Sequence, residues 1–320
     1  MSTIDASAQV HSLRGQTMGT FWSLRFVAAA GFPMDAIQSG VQAELDRVDA
    51  SMSTYKRDSE LSRFNAAAAG SWHTLSSACF DVVQHALQLA RDTDGAYDPT
   101  VGPLVNAWGF GPEASQHSAP SDEVIAAARE RIGWWRIERD ATTRRIRQPG
   151  GVYLDLSSIA KGYAVDVVGD WLKAQGVTAW LVEVGGEMKA HGSKPDGSSW
   201  RVGIEMPDAP DRYFCTLALK DMAIATSGDY RRRFTEGDGR YSHHIDARSG
   251  RPVPHAVASV SVLAPSALQA DPLGTAMTLL GPDRGLAYAQ ARDLAVLFVL
   301  RTQDGLEPRL TPAFAAALQA

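Results

Sequence analysis

The sequence predicts an α+β protein folded as one unit with two lobes, and three observations lead there. Helical and strand-like segments are mixed without the regular βαβ alternation of a doubly wound sheet. No clean linker divides the 320 residues, although chains of this length often hold about two domains. With 45% apolar and 21% charged residues, the composition is that of an ordinary globular protein, able to bury a core without metal or disulfide staples.

Taken in order, the first strand is expected over Thr20–Ala28. A helix follows from about Pro33 to Met52, where Ile37, Val41, Leu45, Val48 and Met52 recur at steps of four and three. Phe80, Val83, Leu87 and Ala90 mark a second helix over Ser77–Asp94, with Gly95 as its stop. Residues 112–120 read as a loop and 122–132 as a short helix. Gly150-Gly151 introduces a strand, Val152–Leu156, and a helix from about Ser158 to Gln175 closed by Gly176. Short β-rich runs then follow at Ala179–Val184, Trp200–Met206, Tyr213–Leu219, Met222–Thr226 and Ala256–Leu263. A helix around Ala267–Leu280, a strand at Leu294–Leu300 and a C-terminal helix complete the chain, in a mixture of mixed or antiparallel sheets and packed helices.

Composition removes several function classes. The formal charge is −5, from 31 Lys plus Arg against 36 Asp plus Glu, which is not the basic excess of a nucleic-acid binder. Cys79 and Cys215 are too few for a disulfide framework and form no CxxC pair. The apolar runs fall short of the ~20 residues a membrane-spanning helix needs. The first seventeen residues carry neither the apolar stretch of an export signal nor a lipidation cysteine. A cytoplasmic location is therefore expected, or a periplasmic one if a signal peptide was removed.

Six short segments, Met18–Thr20, Ser53–Tyr55, Gly95–Thr100, Asp155–Gly162, Ser242–Asp246 and Asp271–Thr275, are richer in Gly, Asp, Ser, Thr and His than a core needs, and the last three can be read for chemistry. In Asp155–Gly162 a strand ends and a helix opens, with Lys161 in its first turn. A helix N-terminus with a lysine suits a phosphate, although an ordinary Ser-capped helix with a solvated lysine fits the same residues. Asp271 and Thr275 stand four apart, so one helix face offers a carboxylate and a hydroxyl, a hard-cation pair. Asp271 before Pro272 equally resembles an N-cap followed by an N1 proline. If the helix starts near Ser266, Pro272 is interior and a break is expected there. In Ser242–Asp246, adjacent His243 and His244 would point to opposite faces of a strand, which disfavours zinc and leaves a histidine as a candidate proton acceptor.

LDLSSIAKGYAVD (Leu154–Asp166), VEVGGE (Val182–Glu187), IATSGDYRRRF (Ile224–Phe234), YSHHIDARSGRPV (Tyr241–Val253) and ADPLGTAMTLLG (Ala270–Gly281) stand in order along the chain. With MGT near the start, STYKRDSELSRFN (Ser53–Asn65) and GAYDPTVGPLVNAWGF (Gly95–Phe110), they resemble the FAD:protein FMN transferase family, also called the ApbE family, from about Thr17 to Leu286. The resemblance implies a T-fold-like domain over residues 17–320, behind a flexible tail over residues 1–16. It further implies Mg²⁺-dependent transfer of the FMN moiety of FAD to a Thr or Ser hydroxyl of a target flavoprotein, with release of AMP.

By position, Met18, Tyr55, Ala96, Tyr97, Asp98, Asp155, Lys161 and Ile245 would line the FAD site. Ser158, through its backbone carbonyl, would join Asp271 and Thr275 around Mg²⁺, and His243 would assist deprotonation of the acceptor. Lys161 and Asp271 are counted with His243 as catalytic. Two alternatives remain: an FAD pyrophosphatase, which needs the same metal and pyrophosphate cradle but hands FMN to water, and a non-catalytic FAD-binding protein, which has no need of the Asp271/Thr275 pair. The chain departs from the family's usual pattern at Ser157-Ser158, where Gly-Gly is common, at Pro272, where Ala is common, and at His244 and Ala247.

Overall fold

The computed structural model describes residues 8–112, 118–207, 209–230, 233–236, 239–254 and 256–319. Its spine is an eight-stranded sheet. In spatial order the strands are Ala8–Thr17, Thr20–Ala29, Trp180–Val184, Glu187–His191, Ala223–Gly228, Val257–Ala264, Ala295–Thr302 and Gly305–Leu310, and each neighbouring pair is antiparallel. Side chains alternate across such a sheet. Val296, Phe298 and Leu300 enter the main core on one face, while Leu297 and Val299 enter a second core on the other. Burial on both faces explains why this strand reads as an unbroken apolar run.

Helices Met34–Met52, Ser77–Asp92, Ala160–Ala174 and Ala267–Gln290 cover the main core. The hairpin of Trp200–Met206 with Ala209–Leu219 and the helix Pro312–Gln319 cover the second. A smaller cluster, including Leu104, Trp108, Ile125 and Ile245, builds a separate lobe around Gly102–Ala107 and Asp122–Arg129. The α+β class expected from the sequence is the class observed.

Local expectations fail in places, each for a physical reason. The tail expected over residues 1–16 is a strand from Ala8 onward, paired along its length with Thr20–Ala29, while residues 1–7 lie outside the described residues. Its partly or fully covered positions include His11, Leu13, Gly15 and Thr17, only one of them large and apolar, so alternation leaves no signal. Residues 113–117 of the expected loop also lie outside the described residues.

Val152–Leu156 is extended but is not a strand. Amide side chains satisfy the backbone of Val152 and Leu154, while the Tyr153 and Asp155 N–H groups donate to the Arg131 and Pro99 carbonyls. Asn65 exchanges two 2.8 Å hydrogen bonds with Leu154, and Gln148 accepts from the Val152 N–H and donates to the Val152 carbonyl. An amide carries a donor and an acceptor at peptide-like spacing, so it can stand in for a neighbouring strand. The next helix begins at Ala160 rather than Ser158, and no side chain caps it. Pro272 does not break its helix; the distortion lies at Gly281 (φ 76°, ψ 173°), where two helical stretches meet. Proline's fixed φ is itself helical, and the cost is one missing N–H.

Candidate functional site

Two helices cross at a glycine. A Cβ on Gly162 would lie 2.1 Å from the Ala267 carbonyl oxygen and 2.7 Å from the Asp271 Cβ, so only glycine permits this approach. The approach lets the Gly162 N–H donate to Asp271 Oδ2 at 2.9 Å. One turn further along the same helix, Asp166 accepts from the Ala267 and Leu268 N–H groups at 3.2 and 2.8 Å and from Lys189 Nζ at 2.6 Å. A carboxylate there satisfies free N–H groups at the start of the second helix and complements its dipole. Ser266 supplies the side-chain cap by accepting from the Gln269 N–H. Asp271 is thus an interior helix residue, not the N-cap.

Lys161 Nζ lies 2.6 Å from Glu187 Oε1 and 4.0 Å from Asp271 Oδ1. The two carboxylate side chains are each 5% exposed and that of Lys161 29%. Burial pushes the Asp271 carboxyl up to about 7; the Lys161 ammonium and the Gly162 N–H oppose that shift, and Glu187 adds to it. Glu187 follows the hairpin turn Gly185-Gly186, where both residues have positive φ (63° and 107°), as a two-residue turn between twisted strands requires. Its Oε2 is buried with no hydrogen-bond partner among the described residues.

This cluster opens into a cavity of about 820 Å³, within the ~300–1,000 Å³ range of small-molecule sites. Lys161, Asp271, Thr275 and Ser158 line it together, so the i, i+4 pair does present one face. Thr275 Oγ1 stands 3.4 Å from Ser227 Oγ. Met18, at positive φ (46°) in the turn between the first two strands, and the exposed Tyr55 form part of its wall. Tyr97, Asp98 and Asp155 form another part. The buried Tyr97 hydroxyl is 3.0 Å from Ser158 Oγ, and burial holds its acidity well below that of a free phenol. Asp98 accepts from the Thr100 N–H and hydroxyl at 2.8 and 2.6 Å, while burial raises its pKa to about 6.

Ala96 is the expected site residue that does not line the cavity. Asp94 and Gly95 both have positive φ and turn the chain, so Ala96 packs inward, 1% exposed, and its N–H donates to the Thr93 carbonyl. His243 and Ile245 do reach the cavity. His243 and His244 do not point to opposite faces: they occupy a bend between Gly239–Ser242 and Ile245–Asp246, and their rings stack 4.1 Å apart. The alternation rule applies to extended strand, and a bend escapes it. Phe110 lies beside His243 at 6.3 Å.

Sequence reasoning missed Glu187 and Ser227. The available signal for Glu187 was a carboxylate directly after a Gly-Gly turn that ends a buried strand. Oxygen donors from Asp271, Thr275 and Ser158 suit a hard divalent cation, and Glu187 Oε2 is a further buried oxygen acceptor without a donor among the described residues. Among the described residues, no group of three or more His, Cys, Asp or Glu gathers as a metal cage.

One nucleotide-sized cleft thus brings together two buried carboxylates, a lysine and clustered hydroxyls. The ApbE family model matches residues 18–298, and the chain belongs to that family. A protein from Vibrio cholerae named FAD:protein FMN transferase is 42% identical over 308 residues, covering 96% of this chain and 92% of its own. One of the same name from Escherichia coli is 35% identical over 316 residues, covering 98% and 90%. The apo crystal structure of the Pseudomonas stutzeri flavinyl transferase ApbE superposes with a TM-score of 0.90 at 41% identity, over 98% of each chain. The flavin transferase ApbE from Vibrio cholerae also gives 0.90, at 40% identity, over 97% of this chain and 100% of that one. No helix of the described residues is long and apolar enough to cross a membrane.

Proposed function

We propose that this chain transfers the FMN moiety of FAD, in the presence of Mg²⁺, to a threonine or serine hydroxyl of a target flavoprotein, with release of AMP. The observation that carries this reading is the Lys161–Glu187–Asp271 cluster beside Thr275 and Ser158 in one cavity. It provides charge of both signs where a pyrophosphate would be cleaved.

In the reaction the acceptor oxygen attacks the phosphorus on the flavin side of the pyrophosphate. The bond from that phosphorus to the bridging oxygen breaks, and AMP leaves with the bridging oxygen. His243 takes the acceptor's proton, a role worth ~10²–10⁴-fold for a positioned base. Lys161 and the nearby helix start stabilise charge on the phosphates. Asp271 and Thr275, with Ser158, would hold Mg²⁺, which when bound withdraws charge from pyrophosphate oxygens. Most of what the protein contributes to such a transfer is position and electrostatics.

The test is incubation with FAD and Mg²⁺, with and without a peptide bearing an acceptor threonine, read by mass spectrometry and AMP detection. A peptide gaining one FMN, with AMP released and both lost in EDTA or in Asp271→Ala, is the expected result. FMN and AMP without peptide modification would make the chain a pyrophosphatase, and FAD that is bound and left intact would make it a carrier.

A further inference from the structure

The cluster holds two carboxylates and one ammonium, all largely withdrawn from water. Lys161 Nζ sits on Glu187 Oε1 at 2.6 Å and reaches Asp271 only at 4.0 Å. Glu187 Oε2 is sealed from solvent and accepts from no donor among the described residues. Glu187 leaves the Gly185-Gly186 turn on a paired strand, and Asp271 is held by the Gly162 N–H, so both carboxylates are fixed. The lysine stem is the movable member, because it lines the cavity and its side chain is 29% exposed. One ammonium therefore stands against two buried carboxylates, and Glu187 Oε2 is left without a donor among the described residues.

We infer that Glu187 belongs with Asp271 to the cation seat, and that Lys161 is its resident counter-ion, exchanged for the divalent cation when the site loads. Loading then frees the ammonium to turn toward the pyrophosphate. The inference rests on the flavin-transfer reading for the identity of that anion, but its core concerns the empty protein and Mg²⁺ alone. Lys161 and Mg²⁺ compete for the same carboxylate in the absence of FAD. A lysine that serves only as a phosphate ligand would have no such competition.

The experiment is calorimetric titration of MgCl₂ into the full chain without FAD, for wild type, Lys161→Gln and Glu187→Gln, each checked for folding by circular dichroism. Removing the ammonium is expected to tighten Mg²⁺ about tenfold or more, the effect of losing one adjacent unit charge at this depth. Glu187→Gln is expected to weaken it by a similar factor. Lys161→Gln binding no tighter than wild type, or Glu187→Gln binding as well as wild type, would overturn the inference. If Glu187→Gln fails to fold, the Lys161→Gln arm decides alone. Loss of flavin transfer in wild type would instead overturn the proposed function, and the two failures are read in separate assays.

Discussion

Gly162→Ala tests the architecture with one methyl group. The new Cβ would start 2.1 Å from the Ala267 carbonyl oxygen and 2.7 Å from the Asp271 Cβ. Relief needs the two helices to separate by about 1 Å, since Cβ contacts shorter than ~3.2 Å are not tolerated in a packed interior. Overpacking of this kind costs about 1–3 kcal/mol. The Gly162 N–H to Asp271 Oδ2 bond, 2.9 Å long, would be stretched or lost, and a bond to a charged group is worth about 1.5–3 kcal/mol. Alanine's better helix propensity returns about 1 kcal/mol. The net expectation is a destabilisation of about 1.5–5 kcal/mol. For a chain of this length that is about 2–7 °C in Tm. Activity should fall further than stability implies, because moving Asp271 by about 1 Å can cost roughly 100-fold in rate. Thermal melts and FAD turnover at saturating Mg²⁺ measure both. A variant that melts and turns over like wild type would refute the account of the helix crossing.

His243→Ala should lower kcat by ~10²–10⁴ while leaving FAD affinity nearly unchanged; an equal loss in affinity would show that the ring binds rather than accepts a proton. Tyr97→Phe and Ser158→Ala each remove one end of the 3.0 Å hydroxyl contact and should cost about 1 kcal/mol. Their double mutant should cost less than the sum, which denaturant titration can measure. Asp98 titrates at about 6 when folded, against 3.8 for a free carboxyl. A raised carboxyl pKa means the folded state holds the proton more tightly, so stability falls as pH rises between about 4 and 6 and levels off above. Asp98→Asn should lack that slope, so the difference between the two stability curves should itself change between about pH 4 and 6, and a flat difference would count against burial as the cause.

Much of the fold was legible because apolar periodicity records burial. Ile37, Val41, Leu45 and Val48 mark one helix face, and all four are buried. Periodicity is silent where polar groups do the structural work. The Val152–Leu156 segment looks like a strand because its side chains are buried on alternate and successive positions alike, yet Val152 and Leu154 pair with the side chains of Gln148 and Asn65, and Tyr153 and Asp155 with isolated loop carbonyls. Those partners lie far away in sequence or carry no pattern. The first strand escaped notice for the opposite reason, since an edge strand with Gly15 and Thr17 on its covered side has little to bury. In the site, the residues on one helix face were readable, because Asp271 and Thr275 are related by helix geometry. Glu187 was not, since only the hairpin turn and the tertiary approach of Lys161 reveal what it faces.

The Ser157-Ser158 pair, which stands where the resemblance leads one to expect Gly-Gly, falls where the backbone makes no special demand. Neither Ser157 nor Ser158 has positive φ, so the fold does not need glycine there. Their hydroxyls are taken up locally, Ser157 donating to Asp155 Oδ1 at 2.6 Å and Ser158 meeting Tyr97. Pro272 is interior to its helix, where its fixed φ is compatible with the helical backbone but the Leu268 carbonyl loses its N–H partner and is crowded by the ring. Glycine persists where a side chain would collide or strain: at Gly162, and at Gly185, whose φ is 63° and whose Cβ would press on Thr20 and the stem of Lys161 at 3.0–3.2 Å. Both glycines set the distances within the Lys161–Glu187–Asp271 cluster. The charge cluster is thus tied by backbone geometry to two positions at which a side chain would collide or strain.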